Sequence, residues 1–246
     1  MSDRWTAGAR DSQAPVRMLC FAHAGGGSSL FLPWRARLGP DVDVCPIVLP
    51  GRERRIHEPP YTRMDDLIED LVPALTPLLD RPYLLFGHSM GALVAYEVAR
   101  RLRPELLIVS GRRVPGVTGS RHLLGDDEFL EAVAGLGGTP PALFGSPDLV
   151  RLFLPCLRAD FRLVETYAPA DTPPVSCPVT ALTGDADPEV SPAQMARWAG
   201  LTTGGFSLHV FPGDHFYLKG LPEPVRLTVR DAARGVSAAP ARAPRS

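Results

Sequence analysis

Apolar residues fall along the chain in two rhythms. Short continuous runs at Val16 to Ala22, Val42 to Leu49, Tyr83 to Phe86, Leu106 to Val109, Val179 to Thr183 and Phe206 to Phe211 have the length of strands. Between them the spacing is helical. Met64, Leu67, Ile68, Leu71, Ala74, Leu75 and Leu78 predict a helix over 64–80, in which Pro73 and Pro77 impose a kink or an early end. Another helix follows Phe86 across the Gly87–Gly91 turn, and shorter ones are predicted over 30–38, 192–199 and 225–233. Strands that are apolar on both faces, alternating with helices, predict an α/β protein with a mostly parallel central sheet covered on both faces.

The rhythm breaks between about residues 114 and 172. A helix begins at Asp126-Asp127-Glu128, where acidic residues suit the positive end of a helix dipole, and stops at Gly137-Gly138-Thr139-Pro140-Pro141. A second helix is predicted from Asp148 to Tyr167, with Pro155 inside it. Two helices with no strand between them read as a helical lid inserted into a single domain spanning 1–246. Residues 1–14 and 237–246 are polar or rich in proline and alanine, and are expected to be flexible tails.

Composition narrows this picture. With 246 residues, 45% hydrophobic, the chain can fill a sizeable core, and a formal net charge of −1 gives no electrostatic argument for nucleic acid or a membrane. The first 15 residues lack the apolar core of a secretory signal, and no apolar run has the length of a membrane span. Cys20, Cys45, Cys156 and Cys177 show no C-x-x-C spacing and read as buried reduced thiols, as in a cytoplasmic protein.

The candidate chemistry sits where predicted strands end. Tyr83 to Phe86 runs into Gly87-His88-Ser89-Met90-Gly91, a G-x-S-x-G between strand and helix, which is the context of a nucleophile elbow. Glycines at 87 and 91 let strand and helix approach closely around Ser89. A serine hydroxyl needs a base to take its proton, and the base needs a third group to fix its tautomer. His215, in the turn after the last strand, is the candidate base, and Asp187, after Gly184-Asp185-Ala186, the candidate acid. Ser89, Asp187, His215 is the chain order of an α/β-hydrolase triad. Asp185 is the weaker competitor for the acid, Asp214 is expected to point elsewhere, and His88 to pack beneath the elbow. His23 is given a structural role, and His57, His122 and His209 surface or core roles. An oxyanion needs two preorganised N–H donors, here Met90 and either Ala24 or Gly25 in the glycine-rich loop after the first strand, with Ala24 preferred. The phosphate-cradle pattern G-x-x-x-x-G-K-[ST] and metal-ligand spacing are both absent, so no cofactor and no metal are expected.

With these residues in place, the chain resembles the type II thioesterases, the stand-alone editing enzymes of polyketide and nonribosomal peptide synthesis. The resemblance spans roughly residues 16–230. It rests on Phe21-Ala22-His23-Ala24-Gly25-Gly26, Leu49-Pro50-Gly51-Arg52, the elbow, Glu128-Phe129-Leu130 with Leu136-Gly137-Gly138-Thr139-Pro140, Leu157-Arg158-Ala159-Asp160-Phe161, Gly184-Asp185-Ala186-Asp187-Pro188 and Gly213-Asp214-His215-Phe216. Ala22 and Asp214 depart from the residues the family often has there. The resemblance implies an α/β-hydrolase fold and a monomer. It further implies hydrolysis, through an acyl-serine, of aberrant or short acyl groups from the phosphopantetheine arm of an acyl or peptidyl carrier protein. Arg52, Arg54, Arg55, Arg100, Arg101, Arg103, Arg112 and Arg113 are candidates to meet an acidic carrier. The alternatives are a product-releasing thioesterase of the same kind of pathway, an esterase on free esters, and a non-catalytic module docked on a synthase.

Overall fold

A computed structural model describes residues 2–8, 13–138, 146–169 and 173–238. Six strands form one sheet: β1 (Val16–Phe21), β2 (Val42–Pro46), β3 (Tyr83–His88), β4 (Leu106–Ser110), β5 (Val179–Gly184) and β6 (Phe206–Phe211). Their spatial order is β2-β1-β3-β4-β5-β6 and every neighbouring pair is parallel. Every residue of β1 to β5 is buried, because helices cover both faces and leave no polar side to the sheet.

Alternation along the strands divides the core in two. Leu19, Phe21, Leu85, Leu107 and Val109 face one layer with α2 (Met64–Leu75) and α3 (Met90–Leu102). Met18, Cys20, Leu84, Phe86 and Ile108 face the other, with α1 (Trp34–Leu38) and α7 (Glu223–Ala238). The chain moves outward from β1 to β2, then returns across to β3 and continues the other way. Such a reversal opens a crevice at the carboxyl ends of the two strands that flank it. Here those ends carry the His23–Gly27 loop and the Ser89 turn.

The inserted segment holds α4 (Asp126–Ala134) and α5 (Pro147–Glu165), with no strand between β4 and β5 among the described residues. Phe129 of α4 meets Phe161 of α5 edge to face at 5.3 Å, a contact worth roughly 0.5–1.5 kcal/mol beyond its buried area. Thr139 and Pro140, quoted above for the resemblance, lie outside the described residues, as do the last three positions of the expected lid. The short α6 (Pro192–Ala196) begins with a capping box between Ser191 and Gln194.

Several boundaries differ from expectation. Helix α2 accommodates Pro73 and stops at Leu75, passing into a 3₁₀ turn over Thr76–Leu78 that contains Pro77. The second strand closes at Pro46, three residues early, because Ile47 turns to pair antiparallel with Thr6. The expected N-terminal tail is corrected over residues 2–8, while 239–246 of the C-terminal one lie outside the described residues. Ser2–Trp5 is a 3₁₀ turn, Trp5 is buried, and the Arg55 guanidinium lies 4.0 Å from its ring centre. At the other end α7 runs on to Ala238, since Val225, Val229, Ala233 and Val236 keep the helical stripe buried past the predicted stop.

Candidate active site

Ser89 occupies the turn between β3 and α3 with φ 55° and ψ −116°, a conformation that L residues rarely adopt and that elbows impose. Its amide donates to the Ser110 carbonyl at 2.8 Å, which ties the turn to the end of β4. The two glycines are required sterically. A Cβ on Gly87 would lie 2.1 Å from the Gly91 carbonyl oxygen, and one on Gly91 would lie 2.1 Å from that of Phe21.

The loops after β5 and β6 are joined to each other, and this brings the acid to the base. Asp185 accepts from the Gly213 amide at 3.0 Å, its own amide donates to Phe211 O at 2.8 Å, and Ala186 N donates to Gly213 O at 3.0 Å. Asp187, two residues on, receives His215 Nδ1 on its Oδ2 at 2.8 Å. Its other oxygen accepts from the amides of Glu189 at 2.8 Å and Val190 at 3.3 Å, so the carboxylate cannot turn away. Asp187 is thus the imidazole's partner and Asp185 a loop tie. Asp214 caps its own turn by accepting from the Phe216 amide at 2.8 Å.

Ser89 and His215 line one narrow cavity, partly open to solvent, with His23, Ala24, Phe161, Phe216 and the lid residues Val133, Leu136 and Gly138. Among the described residues Ser89 makes no hydrogen bond to His215; in such sites that bond commonly tightens only with substrate present. Of the two amides offered by the first loop, Gly25 N already donates to Asp160 Oδ2 at 2.7 Å, whereas Ala24 N makes no hydrogen bond. Met90 is the first residue of α3, so its N–H has no acceptor one turn back. Among the described residues the Ala24 and Met90 amides have no acceptor within the fold.

Three imidazoles and a phenyl ring pack around this point. His88 is fully buried, tilted 40° against His215 at 4.9 Å, with Nδ1 3.0 Å from Ser110 Oγ, which in turn lies 2.7 Å from the Tyr217 hydroxyl. Phe216 meets His23 at 4.9 Å and His215 at 5.1 Å, both edge to face. His23 Nδ1 and His88 Nε2 are buried without partners. Burial, reinforced by His215 and then Arg52, holds the His23 pKa down to about 3; burial followed by His215 and His23 lowers that of His88 well below its ordinary value. Both rings are neutral in the fold and take up protons only when the chain unfolds. A base depressed in this way removes stability as pH falls below the unfolded value of about 6.5, by about 1.4 kcal/mol per unit for each group. Chemical denaturation between pH 7 and 5 is expected to show that loss, and His23→Gln to lessen its slope. A flat profile would contradict it.

The lid is tied to the site at two places that the sequence reading did not assign. Arg121 makes a bidentate pair with Glu189 at 2.8 and 2.9 Å, next to the Asp187 turn. Arg52, one of the candidates to meet a carrier protein, is instead buried and forms a bidentate pair with Asp160 of α5 at 2.8 and 2.9 Å. A charged residue on the apolar stripe Leu157, Phe161, Val164 is the signal that could have found Asp160. Arg55 is buried and paired with Glu58, and Arg100 is paired with Glu97 at 2.6 Å. Arg100, Arg101 and Arg103 stand at the far end of α3, roughly 20 Å from the elbow at 1.5 Å per residue. Arg112 and Arg113, directly after β4, remain at the site's end of the sheet.

Among the described residues no group of three or more histidine, cysteine or acidic side chains is placed to hold a metal ion, and no helix is long and apolar enough to cross a membrane. All four cysteines are buried free thiols.

A parallel sheet with a left-handed serine at its switch point and an imidazole–carboxylate pair at the neighbouring strand ends defines an α/β-hydrolase. A family model described as a thioesterase domain matches residues 16–228, and the chain belongs to that family. It is 41% identical over 212 residues to thioesterase PikA5 of Streptomyces venezuelae, covering 82% of this chain and 75% of that one. The RedJ thioesterase of the prodiginine pathway in Streptomyces coelicolor is 42% identical, with a TM-score of 0.82 and 90% of each chain covered. BorB, the type II thioesterase from the borrelidin biosynthetic cluster, is 39% identical, with a TM-score of 0.81 over 97% of this chain and 98% of that one.

Proposed function

We propose that this thioesterase clears short or aberrant acyl groups from the phosphopantetheine arm of a carrier protein, with Ser89 as nucleophile, His215 as base and Asp187 as the group that orients it. The observation that carries the reading is the 2.8 Å His215–Asp187 pair opening into the same lid-covered cavity as Ser89. Ser89 Oγ attacks the thioester carbonyl as His215 Nε2 takes its proton. The resulting oxyanion is received by the Ala24 and Met90 amides, and the C–S bond breaks as the proton passes to the leaving sulfur. Water then adds to the acyl-serine by the same route in reverse, releasing the acid and restoring Ser89.

The carrier-arm substrate rests on the resemblance to the type II thioesterases, and the biosynthetic setting on the likeness to RedJ and BorB. The preference for short groups rests on the cavity, which is narrow and walled by Val133, Leu136, Phe161 and Phe216. Arg112 and Arg113 are the cations best placed for an acidic carrier. Burial, then Arg113, lowers the Arg112 pKa to about 10, which leaves it charged at neutral pH. Acid release from a carrier protein loaded with acetyl or propionyl is expected to outpace release of a full-length intermediate. Turnover of the long chain alone would assign product release instead, and no turnover of either, with no acyl-serine, would leave a docking role.

A further inference from the structure

The Arg52–Asp160 pair is built into the oxyanion loop. Asp160 Oδ2 takes the Gly25 amide at 2.7 Å together with Arg52 Nη1 at 2.9 Å, and the same Nη1 donates to the Gly26 carbonyl at 2.9 Å. Both side chains are buried, at 8% and 3% exposure. The next residue, Glu53, holds the other end of the loop by accepting from the Ser28 amide at 2.5 Å and its hydroxyl at 2.9 Å. Gly25 stands at φ +72°, and a Cβ there would lie 2.6 Å from Leu157 Cδ1, so α5 rests directly on this turn. Burial is the largest influence on the Arg52 pKa and lowers it, but Asp160, Cys156 and Glu53 together turn the net shift upward.

We infer that Arg52 and Asp160 are positioning residues for the oxyanion hole, and that seating of lid helix α5 sets the loop so that Ala24, not Gly25, points its amide at the reacting oxygen. Asp160 belongs to the lid and Gly25 to the body of the sheet. The hydrogen bond between them therefore exists only when α5 is in place, and lid seating and transition-state stabilisation become one event. Arg52 braces both partners, holding the carboxylate with two bonds and the adjoining carbonyl with a third. A guanidinium fork suits that geometry and an ammonium does not. The inference rests on the catalytic roles proposed above.

The test separates this role from simple stability. Leaving one buried charge unpaired destabilises a fold, whereas replacing both partners by apolar groups of similar size commonly restores it. Wild type, Asp160→Asn and the double variant Arg52→Met/Asp160→Leu are compared by thermal midpoint, by kcat and KM on a propionyl thioester, and by affinity for a trifluoromethyl ketone analogue and for propionate. With the ketone, a bond forms between Ser89 Oγ and the carbonyl carbon, the C=O π pair becomes the oxyanion, and the Oγ proton passes to His215.

Asp160→Asn is expected to lower kcat by about 10- to 100-fold, less than the 10²–10³ lost on deleting a donor outright, with analogue affinity falling in proportion and KM little changed. The double variant is expected to recover the thermal midpoint but neither kcat nor analogue affinity. Wild-type kcat and analogue affinity in the double variant would overturn the inference. If that variant does not fold, Asp160→Asn decides alone, and an unchanged ratio of analogue to propionate affinity overturns it. Failure of the wild type to form the Ser89 adduct would sink the proposed nucleophile and this inference with it, a result distinguishable from an adduct whose affinity the variants leave untouched.

Discussion

Ser89→Ala is expected to lower kcat for thioester hydrolysis by about 10⁴- to 10⁶-fold while the protein keeps its fold and its affinity for substrate. The hydroxyl is the group from which the proposed covalent intermediate forms, so its removal leaves water to attack with no acyl-serine route. The loss is expected to stop short of the uncatalysed rate, because the Ala24 and Met90 amides, proposed to receive the oxyanion, remain in place. Alanine also suits the site in other ways. The Ser89 amide, bonded to Ser110 O at 2.8 Å, is retained, although the φ of 55° remains a strained backbone for alanine as for serine. Single-turnover measurement with a radiolabelled acyl group decides the matter: label bound to wild type in an ester linkage and absent from the variant is the expected result. Hydrolysis by the variant within tenfold of wild type would exclude Ser89 as nucleophile.

The second large effect separates two aspartates two residues apart. Asp187→Asn is expected to cost about 10⁴-fold in kcat. An amide in place of the carboxylate offers the wrong polarity to His215 Nδ1 or the wrong tautomer to the ring, and no longer balances the imidazolium. The two backbone amides that now anchor Asp187 Oδ1 would hold the asparagine carbonyl there and turn its NH₂ toward the histidine, which makes the mismatch worse. Asp185→Asn is expected to stay within a few-fold of wild type, since the asparagine oxygen can still accept from Gly213 N. Equal losses in the two variants would mean that the joined loops, and not the acid, are what the reaction needs.

Much of this was legible in the residues. Continuous apolar runs and helical spacing gave the parallel sheet and the lid helices, because burial on both faces leaves that pattern and no other short repeat does. The elbow was readable because steric demands at Gly87 and Gly91 restrict the residue type. Asp187 was separable from Asp185 only by degree, since what decides between them is the pairing of the β5 and β6 loops, a contact between distant segments. The N-terminal residues looked like a loose tail because so short a segment carries no periodicity; Trp5 is buried by the neighbours it meets, Arg55 among them. The arginines stayed open for a related reason. A guanidinium in sequence carries no mark of whether a carboxylate awaits it, and for Arg52 that carboxylate is on a lid helix far along the chain.

The two ion pairs that fasten the lid, Arg52 to Asp160 and Arg121 to Glu189, lie on opposite flanks of the catalytic line, one beside the oxyanion loop and one beside the Asp187 turn. A third tie anchors the segment around the end of α5, where Leu163, Val164 and Tyr167 sit in the main core and the Tyr167 hydroxyl donates to Glu97. Helix α4 is held to α5 by the Phe129–Phe161 contact and the Arg158–Asp126 pair, and it carries Val133 at the cavity wall with Leu136 just beyond it. One wall of the acyl chamber thus hangs from α5, while the oxyanion loop and the Asp187 turn are fastened to the lid directly.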